Sequence, residues 1–363
     1  MKILHICHHF YPCVGGLETH LLDLCSHLVK LGHQSDVLCL DTCAKSRKKL
    51  KHSEVYKGIG ITRIPYLDMK YYKISLPPKM LKMIKEYDII NVHAIGFFSD
   101  IFLLTKKIHR KPVILTTHGG FFHTKDMRQL KNFYLKWSKK ILKKADKIVA
   151  TGKVDYKIFS GMPNIELVPD SVNIDTYSKL KRNPKRNTLL HIGRIAKNKR
   201  IDLLINAVAK IKRSIPGIKL YVAGEDMEGL QKGLEMYARK LGVEKNVFFL
   251  RRVTDKKKLS MLRTCEFFVA SSDYESFGIS VLEAMASGVP VIANDIEAFR
   301  NLIKNGHNGY LADFSRPEEV ANLIVKTSKN NLSVVSKNAR KSSQQYSWER
   351  NIKKIVQIYK DAL

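Results

Sequence analysis

The sequence predicts an α/β protein made of two Rossmann-like, doubly wound domains. Three observations lead there. The 363 residues, 44% of them hydrophobic, suffice for two sizeable cores. Short apolar, strand-like runs alternate with helical ones, the pattern of parallel sheets covered by helices on both faces. A polar, charged, proline-bearing stretch at 169–186 divides this alternation into two series. The expected boundaries are a first domain at 1–168, a linker at 169–186, a second domain at 187–346 and a terminal helix at 347–363. In such sheets functional residues gather at the carboxyl ends of strands.

The first series opens with the strand Lys2-Ile-Leu-His-Ile-Cys7. Gly15-Gly16 turns it into a helix whose apolar positions are Leu21, Leu24, Leu28 and Leu31, closed by Gly32. A glycine turn in this place commonly approaches phosphate, and it also serves as a plain turn. Further strands are expected at Val37–Leu40, Ile61–Ile64, Asp88–His93, Val113–Thr117 and Lys147–Ala150. His118 follows the fourth of these. The two glycines after it leave its imidazole room to face a cleft.

Residues 125–147 form a basic amphipathic stretch. Leu130, Phe133, Tyr134, Trp137 and Ile141 recur at helical spacing, while Lys136, Lys139, Lys140, Lys143 and Lys147 lie off that stripe. The pattern fits a surface helix packed on the sheet, and it fits a helix lying on an anionic membrane. Lys45–His52 is a second basic run, expected as a loop.

The second series begins at Thr188-Leu-Leu-His-Ile-Gly-Arg194, with strands to follow at 218–225, 247–250, 267–270 and 290–294. Arg194 and Lys199, in the loop after its first strand, are candidates to clamp a diphosphate. The most informative run is Asp273-Tyr-Glu-Ser-Phe-Gly-Ile-Ser-Val-Leu-Glu283. It follows the strand Phe267–Ala270 and leads into a helix, so it is a strand, a tight turn and a helix N-terminus. Free amides near Phe277 and Gly278 attract a phosphate there. Glu275 and Glu283 offer acceptors for sugar hydroxyls on either side. Donors for a phosphate and acceptors for sugars in one site suit a nucleotide sugar.

That run resembles the glutamate-pair motif of the large group 1, family 4 type of retaining glycosyltransferases with the GT-B fold. Two Glu separated by seven residues match it as Glu275 and Glu283. The family's glycine-rich loop matches at Gly15, Gly16, Glu18 and His20, its Gly-Arg at Gly193-Arg194 and its clamp lysine at Lys199. Arg200 and Arg251 stand where the family usually has Gly, and Asp170-Ser171 where it usually has Asn-Gly. The turn after Lys199 is therefore expected to differ. The resemblance implies two domains facing a cleft, with the terminal helix crossing back to the first. It implies a nucleotide-sugar donor held mainly by the second domain, a glycan or lipid-linked acceptor on the first, and retention at the anomeric carbon. It places His118 near the transferred sugar, as a catalytic residue with Glu275. Donor binding falls to Gly15, Gly16, Arg194, Lys199, Glu275, Phe277, Gly278 and Glu283. On the same fold, a sugar-nucleotide epimerase or a phosphorylase is the alternative.

No Asp-x-Asp occurs, so neither a metal nor a cofactor is expected, and cations with backbone amides are left to stabilise a leaving diphosphate. The net charge of +31 suits acidic partners, either an anionic membrane surface or a phosphorylated substrate, or reflects a general lysine bias. Nucleic acid is not an expected partner, because no zinc-finger spacing or RNP-like aromatic run occurs. No stretch approaches the roughly 20 apolar residues of a spanning helix. Six scattered cysteines without CxxC spacing read as reduced thiols of a cytoplasmic protein, with the inner membrane face as a docking surface. Cys7, His5, His8 and His9 are not expected to share a metal, since neighbours in a strand alternate faces.

Overall fold

A computed structural model describes residues 1–13, 15–43, 48–69, 72–74, 83–119 and 128–363. Val14, Gly120, residues 45–47 of the second basic run and residues 125–127 of the amphipathic stretch lie outside them. The chain divides into two compact units, Met1–Ser171 with Trp348–Leu363, and Val172–Ser347.

The first unit contains β1 (Lys2–Ile6), α1 (Gly16–Lys30), β2 (Gln34–Leu40), β3 (Ser53–Tyr56), β4 (Ile59–Ile64), β5 (Leu67–Met69), β6 (Tyr72–Ile74) and β7 (Ile89–His93). It continues with α2 (Phe97–Leu104), α3 (Lys106–His109), β8 (Val113–Thr116), α4 (Arg128–Leu142), β9 (Lys147–Ala150), α5 (Lys153–Phe159) and β10 (Ile165–Leu167). Eight strands form one sheet in the order β10-β9-β8-β7-β1-β2-β4-β3, parallel throughout except for β3. Alternate residues of each strand feed opposite cores. Leu4, Ile90 and Leu115 face one, and Ile3, Ile89 and Ile114 face the other.

The second unit contains α6 (Ile174–Ser178), β11 (Thr188–Ile192), α7 (Ile201–Ile211), β12 (Lys219–Ala223), α8 (Gln231–Lys240), β13 (Val247–Phe249), α9 (Asp255–Thr264) and β14 (Phe267–Ala270). Then come α10 (Ile279–Ala286), β15 (Val291–Asn294), α11 (Glu297–Arg300), β16 (Tyr310–Ala312), α12 (Pro317–Ser328) and α13 (Ser333–Ser343). Its six strands are all parallel, in the order β13-β12-β11-β14-β15-β16. The chain then re-enters the first unit as α14 (Trp348–Ala362), where Trp348 and Tyr359 are fully buried.

Two expectations need correction. The linker does not extend to residue 186. The first unit runs to Ser171, and Val172 onward belongs to the second, because α6 buries Ile174 and Tyr177 in that core. Arg182 then donates to the carbonyls of Leu262 and Cys265. Nor are all six cysteines free. Cys13 and Cys43 are joined in a disulfide with their Cα atoms 5.4 Å apart, while Cys7, Cys25, Cys39 and Cys265 are buried thiols. The cysteines therefore no longer argue for a reducing compartment.

The loops at the carboxyl ends of β11–β14 are tied to one another. Gly193 N donates to Ala223 O at 3.0 Å, Ile195 N to Glu225 O at 2.9 Å and Gly224 N to Arg251 O at 2.8 Å. Asp273 N donates to Asn198 O at 2.9 Å. This close approach requires Gly224, where a Cβ would lie 1.8 Å from Gly193 O. Gly224→Ala is expected to cost about 1–3 kcal/mol through enforced backbone displacement. Thermal unfolding checks this, and an unchanged Tm would show that the two loops have room to part.

Candidate active site

In the second unit the first candidate cluster forms where β11 and β14 end side by side. Lys199 lies in the short 3-10 turn Lys197–Lys199, and Glu275 in the loop between β14 and α10. The Lys199 ammonium donates to Glu275 Oε1, which also accepts from the Ser272 hydroxyl at 2.8 Å. Ser271 Oγ donates to the carbonyls of Lys199 and Arg200, each at 2.8 Å, and Asn198 Nδ2 donates to Tyr274 O at 3.1 Å. The two loops thus hold the pair from both sides. Because an ammonium has three donors, one contact to Glu275 leaves capacity for an anionic ligand.

Under this pair lies His191, from β11. Its Nδ1 hydrogen-bonds Val269 O at 3.0 Å, and its buried Nε2 finds no partner. Burial, opposed by that hydrogen bond and assisted by Lys199, lowers its pKa to about 4.

Gly278 caps α10 with φ +105°, and a Cβ there would meet the Phe299 ring at 2.9 Å. Phe277 is buried, with its ring edge-on to Tyr346 at 5.4 Å between centroids. Its side chain is therefore core, and only its backbone faces a ligand role. The first amides of a helix have no partner within it, which keeps the phosphate-binding reading of this turn chemically sound.

Glu283 is in a separate cluster. It lies within α10, 7% exposed, and its Oε1 accepts from the Tyr177 hydroxyl and from Lys258 Nζ at 2.8 Å. Lys258 also sits 5.5 Å from the Tyr177 ring centre. Arg194, in the loop after β11, is exposed. Arg200 takes the left-handed conformation, φ 48° and ψ 48°, with its guanidinium on Asp202. Arg251 also has positive φ, 51°. Both arginines thus keep the backbone that glycine favours, where the first was expected to alter its turn.

In the first unit, Gly15 is extended ahead of α1 and Gly16 is its first residue. His20, one turn further, stacks edge-on against His118 at 5.1 Å between ring centres. Its Nδ1 is 3.1 Å from Asp170 Oδ1, without hydrogen-bond geometry. His118 Nε2 contacts His93 Nδ1 at 3.1 Å, and His93 Nε2 contacts His5 Nδ1 at 3.0 Å. Asp155 accepts from the Thr117 hydroxyl at 2.6 Å and from Gly119 N at 2.9 Å, holding the loop that carries His118. His8 and His9 turn elsewhere, toward Phe98 and the Thr42 carbonyl. Burial lowers the pKa of His5 to about 3 and of His20 to about 4, holds His93 and His118 well below the ordinary value, and pushes Asp170 well up.

Sequence reasoning missed Ser272, Tyr177, Lys258, His191, His93 and Asp170. Ser272, three residues before Glu275, was within reach of a turn argument. The others come from distant segments with no local signature.

The architecture is that of the GT-B fold. The Anabaena protein HepE, solved with UDP and glucose, superposes with a TM-score of 0.78 over 98% of both chains at 20% identity. The sequence matches Glycosyl transferases group 1 over residues 174–347 and Glycosyltransferase Family 4 over residues 14–176. GDP-mannose:cellobiosyl-diphosphopolyprenol alpha-mannosyltransferase of Komagataeibacter xylinus is 33% identical, over 86% of this chain and 80% of that protein. Phosphatidyl-myo-inositol mannosyltransferase of Mycobacterium leprae is 23% identical, over 99% and 96%. The chain belongs to the group 1 glycosyltransferase family and is an enzyme of that class.

The buried histidines make stability depend on pH. The folded pKa values of His5, His20, His93, His118 and His191 all lie below the unfolded 6.5. The unfolded chain therefore binds more protons between about pH 4 and 6.5, and stability is lost as pH falls through that window. Asp155 and Asp170, both raised by burial, act with the opposite sign. Burial lowers His33 and His109 as well and raises Glu266, so seven histidines stand against three carboxylates and Tm is expected to fall from pH 7 to 4.5. Replacing His191 by Phe is expected to flatten that slope in a pH series of melting curves.

Proposed function

We propose that the protein transfers mannose from GDP-mannose to a polyprenyl-diphosphate-linked glycan, with retention and without a divalent ion. The observation that carries this reading is the Lys199–Glu275–Ser272 cluster beside the Gly278 turn. The donor and acceptor classes are those named for the Komagataeibacter relative. In this reading Lys199 and the amides at Phe277 and Gly278 take the diphosphate, and Glu275 accepts from a hydroxyl of the transferred sugar. Glu283, fixed on one oxygen by Tyr177 and Lys258, keeps the other for the donor's ribose. The same reading takes His118 as a catalytic residue. As the C1–O bond to phosphate breaks, the acceptor oxygen bonds C1 from the same face and its proton passes to the leaving phosphate. The negative charge that develops on the leaving phosphate is stabilised by Lys199, which supports a reaction without a metal.

Glu275→Gln is expected to lower kcat on the order of 10²-fold while leaving the melting temperature near that of the parent. Lys199→Ala is expected to weaken GDP binding by about 1.5–3 kcal/mol. Radiolabelled transfer to a polyprenyl-diphosphate glycan and calorimetry with GDP measure the two effects. A Glu275→Gln enzyme of normal turnover, or an unchanged GDP affinity in Lys199→Ala, removes that residue from the site.

The acceptor reading places the first unit at a lipid surface. In α2, α3 and α4, Leu104 is 49% exposed, Ile108 69% and Trp137 43%. Lys107, Arg110, Lys136, Lys140 and Lys143 are exposed on the same helices and their flanks. Ile141 is buried, so the amphipathic stretch serves the core with one stripe and leaves Trp137 among lysines. Tyr134 donates to Asp100, and Lys106 to the Lys144 carbonyl, which ties the three helices together. No helix of the described residues is long and apolar enough to cross a membrane. Each cation near an anionic leaflet contributes about 1 kcal/mol, so attachment is reversible and sensitive to salt. Flotation with anionic vesicles, lost with neutral vesicles, at high salt or in a variant with Trp137→Ser and Lys136, Lys140 and Lys143→Glu, is the expected result. Absence of flotation at low salt refutes the surface.

A further inference from the structure

We propose that His93 and His5 are positioning residues that lock His118 as its Nδ1–H tautomer, so that His118 meets its ligand as a hydrogen-bond donor. The three rings come from successive neighbouring strands. β1 pairs with β7 and β7 with β8, and the register sets His5 opposite Asn91 and His93 opposite Thr116. His93 is two residues beyond Asn91, and His118 two beyond Thr116, so all five side chains share one face of the sheet. That face is otherwise apolar, as a covered parallel sheet should be, with Ile3, Ile89 and Ile114 on it. A polar row across it breaks the local rule, and such breaks mark functional positions.

The row has a second strand of contacts that fixes its geometry. Thr116 Oγ1 donates to Asn91 Oδ1 at 2.9 Å, and Asn91 Nδ2 to the Tyr359 hydroxyl at 2.6 Å. His5 and His93 are 0% and 1% exposed. Burial keeps both neutral, with the neighbouring histidines adding to the effect on His93. A neutral imidazole has one N–H and one bare nitrogen. His93 therefore donates to one neighbour and accepts from the other, and the two contacts must run in the same direction.

Only two arrangements remain. In the first, His5 donates through Nδ1 to His93 Nε2, His93 donates through Nδ1 to His118 Nε2, and His118 carries its proton on Nδ1. The nitrogen left over is His5 Nε2, bare and buried without a partner. In the second, every bond is reversed and His5 Nε2 becomes a buried N–H with nothing to receive it. Orphaned buried N–H groups are rarer than under-satisfied acceptors, so the first arrangement is preferred. The choice made at His5, two strands away, reaches His118 because each ring transmits it. His20, edge-on to His118, and Asp155, on the Thr117 hydroxyl and the Gly119 amide, hold the ring and its loop from the other sides.

The functional half of this proposal rests on the assignment of His118 to the transfer site, while the tautomer itself does not. The test uses the full chain labelled with 15N-histidine, with two-bond 1H–15N imidazole correlations recorded at pH 7. Signals are assigned with His118→Asn and His93→Asn. Wild type is expected to show His5, His93 and His118 all as Nδ1–H. His118 as Nε2–H overturns the proposal. In His93→Phe, His118 is expected to populate both tautomers, with kcat down about tenfold and the KM for donor unchanged. His93→Asn, whose amide supplies an N–H near the position of Nδ1, is expected to restore the Nδ1–H form and most of kcat. Equal, wild-type turnover in His93→Phe and His93→Asn overturns the positioning role. If His118→Asn itself leaves transfer intact, the assignment of His118 to the site fails, and the tautomer result stands apart from it.

Discussion

A polar side chain buried against a parallel sheet is costly unless it finds a partner, because the solvent it has left is not replaced by anything else. This constraint shapes both units at the carboxyl ends of their strands. In the second unit it joins Lys199 to Glu275 and Glu283 to Tyr177 and Lys258. In the first it strings His5, His93 and His118 across three strands. The stitched loops after β11, β12 and β13 are the backbone version of the same rule, with amides satisfied by the neighbouring loop. Side chains on such a frame are held in place by contacts within the chain itself, which is what preorganisation of a site requires.

The fold was legible because its signals are local. Alternation of apolar runs located the long parallel strands from Lys2–Ile6 to Val291–Asn294 to within three residues at either end, and Gly32 marked the end of α1, while Ser53–Tyr56, Leu67–Met69 and Tyr72–Ile74 were not foreseen. The short strand Ile165–Leu167 escaped because three half-buried residues carry no periodicity. The candidate site was legible only where its chemistry lies in one run. Glu275, Gly278 and Glu283 stand together in sequence, yet their clusters are completed by Lys199, Tyr177 and Lys258 from other segments.

The misreadings are also physical. The polar composition of 172–186 suggested a linker, but Ile174, Tyr177 and Arg182 are anchored, and an average over a stretch hides three anchors. The alternation argument looked only along the first strand. It did not reveal that the partner of His5 would come from the adjacent strand, which no reading of one strand can supply. Likewise nothing in the spacing of Cys13 and Cys43, 30 residues apart, shows that their loops meet.

The path of the chain also sets an order of assembly. The first unit takes its last helix, with the buried Trp348 and Tyr359, from beyond the entire second unit. During synthesis at about 5–20 residues per second, Val172–Ser347 occupies the ribosome for roughly 10–35 s. Throughout that interval Leu21, Leu24, Ile89 and Val149 lack the cover that Ile352, Ile355 and Ile358 later give. The second unit has all its strands and helices in one continuous segment and can close first. Until α14 is made, the N-terminal half keeps an open apolar face, and chaperones that recognise such faces have their longest opportunity there.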